Sequence, residues 1–200
     1  MTGMHEVLHG LAVKKHAKAK DVAELMGVDG KKAGTLLDRA VDEGRALNLD
    51  DKYTLTALGR IALDSSYSLH YSDLRENEDF FAAYEAFEKI NVQLKELITD
   101  WQTMEVGGER VANDHSNKDH DMTVIDRLGD LHEKADQVLA RLAKHVSRMK
   151  VYQDLLLEAL EKAEDGEIEW VSDAKIASYH TVWFELHEDL LRLLGQTRQE

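Results

Sequence analysis

Proline is absent from all 200 residues of this chain, where average usage would place about ten. Because proline breaks the interior of a helix, a chain without it can form long, unbroken helices. Two hundred residues are also enough for one or two domains with a buried core. The sequence therefore predicts a mostly α-helical fold.

Residues 73–200 contain four long segments in which apolar residues recur at alternating intervals of four and three. We place helices at about residues 76–104, 121–146, 148–164 and 173–195. This spacing draws one apolar stripe along each helix and is typical of antiparallel packing at shallow crossing angles. Between the first two helices lies a long polar stretch, about residues 105–120, which we predict to be a loop. The second part of the chain is thus predicted to be an antiparallel helical bundle.

Residues 1–72 show a different order of elements. Short helical patterns come first, at about residues 4–13, 21–27 and 31–44. The next stretch, "RALNLDDKYTLT", alternates apolar and polar residues on either side of Asp50 and Asp51, where a two-residue turn would lie. Asp21 is a candidate N-cap of the second helix, and Gly27 is its candidate end. Three helices followed by a hairpin is the order of a winged helix-turn-helix with a small β-hairpin wing.

The stretch "GRALNLDDKYTLTALGR" resembles the wing and its exit in MarR-like winged-helix regulators. The resemblance covers roughly residues 4–65, and it implies that the third helix enters the major groove of double-stranded DNA while the wing touches the backbone or minor groove. The exposed positions of that helix and the wing tip supply the candidate DNA-binding residues Lys31, Lys32, Thr35, Arg39 and Lys52. The basic stretch "KKHAKAK" adds Lys14, Lys15, Lys18 and Lys20. Lysines supply phosphate contacts and salt-dependent affinity more than base discrimination.

Charge is distributed unevenly along the chain. Residues 1–72 hold ten basic and ten acidic residues, whereas residues 73–200 hold 15 and 29 and so carry the whole net charge of −14. An acidic second half would repel nucleic acid, so any DNA contact belongs to the first part. That first part is not net basic, and winged helices also bind proteins. Use of the winged helix for protein–protein contact therefore stays open as an alternative.

Polar side chains interrupt the apolar stripes of the predicted bundle. His180 and His187 lie seven apart in "SYHTVWFELHEDLLRLLG". One interpretation is structural, with each histidine bonded to a neighbouring group. A second is a small-molecule effector pocket, with candidate lining residues Asn91, His132, Tyr179, His180, Trp183 and His187. A third is a divalent metal site, but a pair seven apart is separated by about 10.5 Å along a helix, so a single ion cannot bridge His180 and His187.

No motif for catalysis is recognised in the chain. The stretches "HEKAD" and "HEDLL" lack the second histidine of H-E-x-x-H, and there is no P-loop, no G-x-G-x-x-G and no G-x-S-x-G. Absence of cysteine excludes disulfides and thiolate metal sites. The predicted loop holds residue types that can bind metals, though such loops are more often solvated: Asp114, His115, Asp119, His120 and Asp121. We expect no enzyme activity, no cofactor and no bound metal.

A second resemblance concerns the helical part. The segments "ITDWQ", "RLGDLHEKADQVLARLA" and "SYHTVWFELHEDLLRLLG" resemble the C-terminal portion of a bacterial family that joins a MarR-like winged helix to a helical domain. Similar segments in that family are attached to, or encoded beside, phosphoenolpyruvate-utilising enzymes, which implies an intracellular regulatory or accessory role.

These observations predict a cytoplasmic, homodimeric transcriptional regulator. Residues 1–72 are expected to bind double-stranded DNA, and residues 73–200 to form an acidic domain for dimerisation, sensing of a small-molecule effector, or both. No stretch approaches the roughly 18 consecutive apolar residues of a membrane span, so we expect no membrane contact. The alternative is a non-enzymatic accessory module whose winged helix binds a protein partner, such as a phosphoenolpyruvate-utilising enzyme.

Overall fold

The computed structural model describes residues 3–197, so the outermost residues of both predicted domains, 1–2 and 198–200, lie outside the described residues. The helices are α1 (Met4–Lys14), α2 (Ala19–Met26), α3 (Gly30–Asp42), α4 (Ala57–Arg75), α5 (Glu78–Gln102), α6 (Lys118–Ala143), α7 (Met149–Glu164), α8 (Glu169–Ser172) and α9 (Tyr179–Leu194). The strands are β1 (His16–Ala17), β2 (Ala46–Leu49), β3 (Lys52–Leu55), β4 (Thr103–Val106) and β5 (Glu109–Ala112). The predicted, mostly α-helical fold is confirmed.

The chain divides into two compact units. Of the described residues, one unit takes those up to Asn77 together with those from Glu185 onward, and the other takes Glu78–Phe184. The first unit is called the winged-helix unit below, and the second is called the bundle unit. The predicted division at residues 72 and 73 did not anticipate that the last turns of α9 join the first unit.

A winged helix-turn-helix forms the first part of the winged-helix unit. Strand β1 pairs with β3, and β3 pairs with β2, all antiparallel, which gives the sheet order β1-β3-β2. The predicted hairpin of β2 and β3 is confirmed, and β1 is an addition, because a strand of two residues is too short to show an alternating pattern. The core beneath the sheet includes Val7, Leu8, Leu11, Val22, Leu37, Tyr53, Leu55 and Leu63.

Of the two residues predicted to mark the ends of α2, one is correct and one is not. Gly27 ends the helix as predicted, with a left-handed φ of 62° that glycine adopts without strain. The predicted N-cap, Asp21, is wrong by one turn, because α2 begins at Ala19 with Lys18 as N-cap. Asp21 instead reaches back from inside the helix, and its carboxylate accepts a hydrogen bond from the backbone N–H of Lys18 at 3.1 Å.

The second half of α9 is held in the winged-helix unit by polar contacts as well as by apolar packing. Lys14 Nζ lies 2.6 Å from Glu185 Oε2, and His9 Nε2 lies 2.8 Å from Asp189 Oδ1. Apolar side chains of the same segment are buried as well: Leu186, Leu190, Leu191 and Leu193. The apolar spacing of a helix does not reveal which neighbour the helix contacts, so the sequence could not assign this segment to its unit.

The bundle unit packs α6 against both α5 and α7, with α8 beside α7. Its seams are the predicted stripes, and the buried residues include Phe80, Phe87, Leu94, Ile125, Leu128, Leu139, Tyr152 and Leu156. Phe87 also stacks on Trp183 of α9, with the ring centroids 4.8 Å apart. The prediction of an antiparallel helical bundle is therefore confirmed.

The polar stretch between α5 and α6 differs from the predicted loop at residues 105–120. Strands β4 and β5 pair there as a hairpin, with Val106 opposite Glu109. Gly107 and Gly108 form the turn with φ of 62° and 85°. These left-handed angles match a two-residue hairpin turn and are open to glycine. Residues 113–117 then lead to α6.

Candidate nucleic-acid interface

Helix α3 presents the predicted DNA-binding side chains to solvent. Lys31, Thr35 and Arg39 follow one another at intervals of four and so lie along one face, with Lys32 beside them. All four are exposed. The opposite face of α3 is fixed by burial of Ala33, Leu37 and Ala40. The face proposed to meet DNA is therefore set by the core that the other face fills.

The first turn of α3 is the basic end of this face. Asp29 caps the helix by accepting a hydrogen bond from the backbone N–H of Lys32 at 2.9 Å. The side chains of Lys31 and Lys32 project from that first turn, where the helix dipole also places partial positive charge. Thr35 donates its hydroxyl to the backbone carbonyl of Lys31 at 3.0 Å. The Asp29 carboxylate offsets one of these positive charges, so the first turn of α3 keeps a modest positive charge from Lys31 and Lys32.

The C-terminal end of the same face is not basic. Asp38 and Asp42 are exposed there. Arg39 Nε lies 2.8 Å from Glu43 Oε1, so part of its charge is already compensated. Exposed ion pairs of this kind contribute little free energy. Arg39 could therefore leave Glu43 and contact a phosphate with little loss of stability. The positive field of α3 is therefore concentrated at Lys31 and Lys32.

A hydrogen bond ties the wing to α3. The Tyr53 hydroxyl on β3 donates to Asp38 Oδ1 at 2.6 Å. The hydrogen bond to Asp38, followed by burial, raises the pKa of Tyr53 to about 12, so the hydroxyl keeps its proton and remains a donor at neutral pH. This bond links β3 of the wing directly to α3. This bond could not be predicted from residue spacing, because the two residues lie on different elements with different periods.

The wing tip contains the predicted residue Lys52, and acidic residues accompany it. Lys52 is exposed on β3. Asp50 and Asp51 form the turn just before it, with φ of 51° and 64°. Lys18 Nζ lies 3.7 Å from Asp51 Oδ2, which places one lysine of the basic stretch beside the wing. Another lysine of that stretch, Lys14, is directed to Glu185 instead.

We expect replacement of Asp51 by Gly to raise the free energy of unfolding by roughly 1 kcal/mol. The left-handed conformation costs an L-residue on the order of 1–2 kcal/mol, and glycine avoids most of this cost. Loss of the exposed pair with Lys18 should matter little. Urea denaturation of parent and variant measures the change. Asp51→Ala is the matched control, since it removes the charge and keeps the Cβ. Equal gains from Ala and Gly would show that charge, not backbone strain, limits the turn.

Four of the six residues of the predicted effector pocket lie together inside the bundle unit, where the Tyr179 and Trp183 rings stack with their centroids 6.2 Å apart. Trp183 donates its indole N–H to Asn91 Oδ1 at 3.0 Å, and His132 Nδ1 lies 3.3 Å from the Tyr179 hydroxyl. Burial lowers the pKa of His132, which favours the neutral imidazole. These four side chains pair with each other inside the bundle unit. This arrangement favours the structural interpretation, in which the polar residues of the apolar stripes bond to neighbouring groups.

The two histidines of α9 fall in different units. His180 is half-buried and belongs to the bundle unit, whereas His187 is buried and belongs to the winged-helix unit. Within residues 3–197 no group of three or more His, Asp or Glu side chains is arranged to hold a metal ion. After the β4–β5 hairpin, in the stretch that the sequence predicted to be a loop, His115 Nδ1 lies 3.1 Å from Asp121 Oδ1. This contact links the segment after the hairpin to α6.

The candidate interface consists of the exposed side chains of α3 and the wing. Among the helices of residues 3–197, none is long and apolar enough to span a membrane. Neither the protein-family models nor the curated proteins nor the solved structures contain a match to this chain.

Proposed function

We propose that this protein is a DNA-binding transcriptional regulator that inserts α3 into the major groove of double-stranded DNA. The observation that carries the proposal is the exposed pair Lys31 and Lys32 on the first turn of α3, the element that enters the groove in winged-helix proteins. Lys52 on the wing would contact the adjacent backbone. Thr35 and Arg39 lie further along the helix face, where base edges would come within reach.

The arrangement of charges supports the same orientation. Residues 1–72 are neutral overall, whereas residues 73–200 carry the net charge of −14. DNA would therefore approach the winged helix and be repelled by the bundle. The Tyr53–Asp38 hydrogen bond holds wing and helix in one geometry, so little ordering would be needed on binding.

The proposal extends to the oligomer and to the bundle. Winged-helix regulators commonly read two half-sites related by a two-fold axis, which calls for a homodimer. The bundle unit would bind a small-molecule effector or stabilise the dimer, and a regulator of this kind would act in the cytoplasm. No catalytic role is proposed.

The test replaces Lys31, Lys32 and Lys52 with Ala together and measures affinity for random-sequence duplex DNA at several salt concentrations. Each phosphate contact contributes nearly one unit to the slope of log affinity against log salt. We expect the slope to fall by about one unit for each lysine that contacts a phosphate, and affinity at low salt to fall with it. Fluorescence anisotropy of a labelled duplex gives both quantities.

The control removes the same number of charges from the bundle. Lys89, Lys95 and Lys134 are exposed there, and their replacement by Ala should leave the salt slope unchanged. If the winged-helix variant keeps the parent's slope, α3 and the wing are not the DNA-binding surface. If the parent shows no salt-dependent DNA binding at all, the regulator proposal fails as a whole.

One observation favours a second candidate function. Leu47 and Leu49 on β2 are exposed, with the acidic tip residues Asp50 and Asp51 beside them. Apolar side chains and carboxylates suit a protein partner better than a phosphate backbone. The alternative is therefore an accessory module whose winged helix binds a protein, such as a phosphoenolpyruvate-utilising enzyme. This alternative would be favoured if the folded protein showed no salt-dependent affinity for DNA.

A further inference from the structure

A cavity lies between α4 and the last turns of α9. Its volume is about 470 Å³, which falls within the range of small-molecule pockets. The lining comes from these two helices and from the residues that follow α9, and it includes Asp64, Tyr67, Arg75, Glu188, Leu191 and Arg192. All of these residues belong to the winged-helix unit. The cavity, called the α4–α9 cavity below, is therefore formed within one compact unit.

Arg75 brings a positive charge to the cavity, and none of the carboxylates of residues 3–197 forms an ion pair with it. Its Nε donates to the backbone carbonyl of Leu193 at 2.8 Å, and its Nη1 lies 3.5 Å from the Ser68 hydroxyl. Both of these acceptors are neutral. A guanidinium has five N–H donors, so most of the donors of Arg75 remain for another acceptor. In a chain with 39 acidic and 25 basic residues, an arginine without an acidic partner calls for a physical reason.

Arg192 is the second arginine of the cavity, and it already has partners. Its Nε lies 2.7 Å from Glu188 Oε1, and its Nη1 lies 3.8 Å from Asp64 Oδ1. It also forms a hydrogen bond with the Tyr67 hydroxyl. That hydroxyl donates its proton to His9 Nδ1 at 2.7 Å, so its oxygen is left to accept from Arg192. Arg192 is thus engaged within the protein, and the other arginine is the one open to a ligand.

The charges that line the cavity favour a ligand of low net charge. The two arginines are balanced by the carboxylates of Asp64 and Glu188. A doubly charged anion such as hydrogen phosphate would be attracted by the arginines but repelled by both carboxylates. A carboxylate carries a single charge, and its two oxygens match the planar fork of a guanidinium. The cavity therefore suits a carboxylate better than a phosphate.

We propose that the α4–α9 cavity binds a small organic molecule through its carboxylate, which Arg75 holds. Two N–H groups of the guanidinium donate to the two carboxylate oxygens. Leu191 offers an apolar contact to the rest of the molecule. Where the ligand also carries an ammonium group, as an α-amino acid does, the exposed carboxylate of Asp64 accepts it. The inference goes beyond the proposed function, because binding in this cavity does not require that α3 contact DNA.

The first experiment titrates the full chain with three probes that share one branched apolar end. 4-Methylpentanoate carries a carboxylate, L-leucine carries a carboxylate and an ammonium group, and 3-methylbutylamine carries an ammonium group alone. The Nε–H resonance of Arg75 is followed by NMR of nitrogen-15-labelled protein. We expect both carboxylates to shift it saturably, with dissociation constants on the order of 1 mM, as suits ligands of so few atoms. A resonance that moves equally with the amine, or with neither carboxylate, would overturn the proposal.

The second experiment compares Arg75→Gln with Arg60→Gln, which removes an exposed arginine from the same helix. The backbone amide resonance of Gly195, a residue of the cavity lining, reports binding in both variants. We expect Arg75→Gln to bind 4-methylpentanoate at least about tenfold more weakly, as loss of charge-assisted hydrogen bonds implies, and Arg60→Gln to match the parent. Equal affinity in both variants would refute the role of Arg75. The parent titration needs no variant, so it decides the matter even if Arg75→Gln does not fold.

Two further measurements define the class of ligand. Inorganic phosphate, at matched ionic strength, should bind more weakly than 4-methylpentanoate, and tighter binding of phosphate would overturn the assignment to a carboxylate. Asp64→Asn should weaken the binding of L-leucine and leave that of 4-methylpentanoate unchanged. Equal weakening of the two probes would contradict the contact between Asp64 and the ammonium group.

The outcome for the cavity is separate from the outcome for DNA. Arg75→Gln should keep the parent's salt slope on duplex DNA, because Arg75 is not part of the candidate interface. Carboxylate binding without any DNA binding would overturn the regulator proposal alone. DNA binding by a protein whose Arg75 resonance responds to neither carboxylate would overturn the cavity proposal alone.

Discussion

Replacing Asp189 with Ala is expected to lower the free energy of unfolding by about 3–5 kcal/mol, because it breaks a buried polar pair from one side. Asp189 and His9 are both fully buried, and their Oδ1 and Nε2 atoms lie 2.8 Å apart. His9 Nδ1 lies 2.7 Å from the Tyr67 hydroxyl. An imidazole with its proton on Nε2 donates to Asp189 and accepts from Tyr67, so both ring nitrogens are satisfied together.

Removal of the carboxylate takes away the hydrogen-bond partner of the His9 N–H at 2.8 Å. When a buried donor loses its partner, no hydrogen bond offsets its desolvation penalty, and the folded state is destabilised by the full penalty. The pair also joins α1 and α4 to the last turns of α9, so the loss should loosen the whole winged-helix unit. Urea denaturation followed by far-ultraviolet circular dichroism gives the free energy, with two-state behaviour checked by a second probe.

Two comparisons make this result interpretable. Asp64→Ala removes an exposed carboxylate of the same unit, which lies 3.8 Å from Arg192 Nη1, and should cost no more than about 1 kcal/mol. The double variant His9→Leu with Asp189→Leu removes both polar groups and should recover much of the loss. An Asp189→Ala protein as stable as the parent would mean that water or a rearranged side chain replaces the carboxylate.

The parts of the fold that the sequence predicted are those governed by a single period. The stripe from Phe80 to Trp101 is buried along one face of α5, as the four-three spacing indicated. The wing hairpin also followed from alternation around Asp50 and Asp51. The β4–β5 hairpin was missed although Gly107 and Gly108 were a turn signal, because charged residues in both arms hid the alternation.

The candidate site divides in the same way. Exposure of Lys31, Thr35 and Arg39 follows from the apolar face that α3 must bury, so the sequence could predict it. The hydrogen bond from Tyr53 to Asp38 could not be predicted, because it depends on how the sheet packs against α3. Pairing across long sequence separation is decided by tertiary packing, and local spacing carries no information about it.

Replacement of Gly59 by Ala is expected to lower the free energy of unfolding by about 1–3 kcal/mol or more, the range for overpacking a closed site. Gly59 is buried in the first turn of α4, and a Cβ there would overlap the backbone carbonyl oxygen of Arg45. That oxygen accepts a hydrogen bond from the backbone N–H of Thr56 at 3.0 Å. A backbone carbonyl cannot move aside as the tip of a flexible side chain can. The start of β2, next to Arg45, must therefore shift. Thermal and urea denaturation measure the cost.

Gly34→Ala is the matched control for this prediction and is expected to act in the opposite direction. Gly34 lies within α3, where a Cβ would meet only the Cβ of Ala19, at an ordinary contact distance of 3.9 Å. Alanine in a helix interior is favoured over glycine by roughly 0.5–1 kcal/mol, so this variant should be more stable than the parent. The two substitutions add the same methyl group to helices of the same unit. Opposite signs would therefore establish that the close approach of α4 to Arg45 requires glycine at position 59, and losses of equal size would refute it.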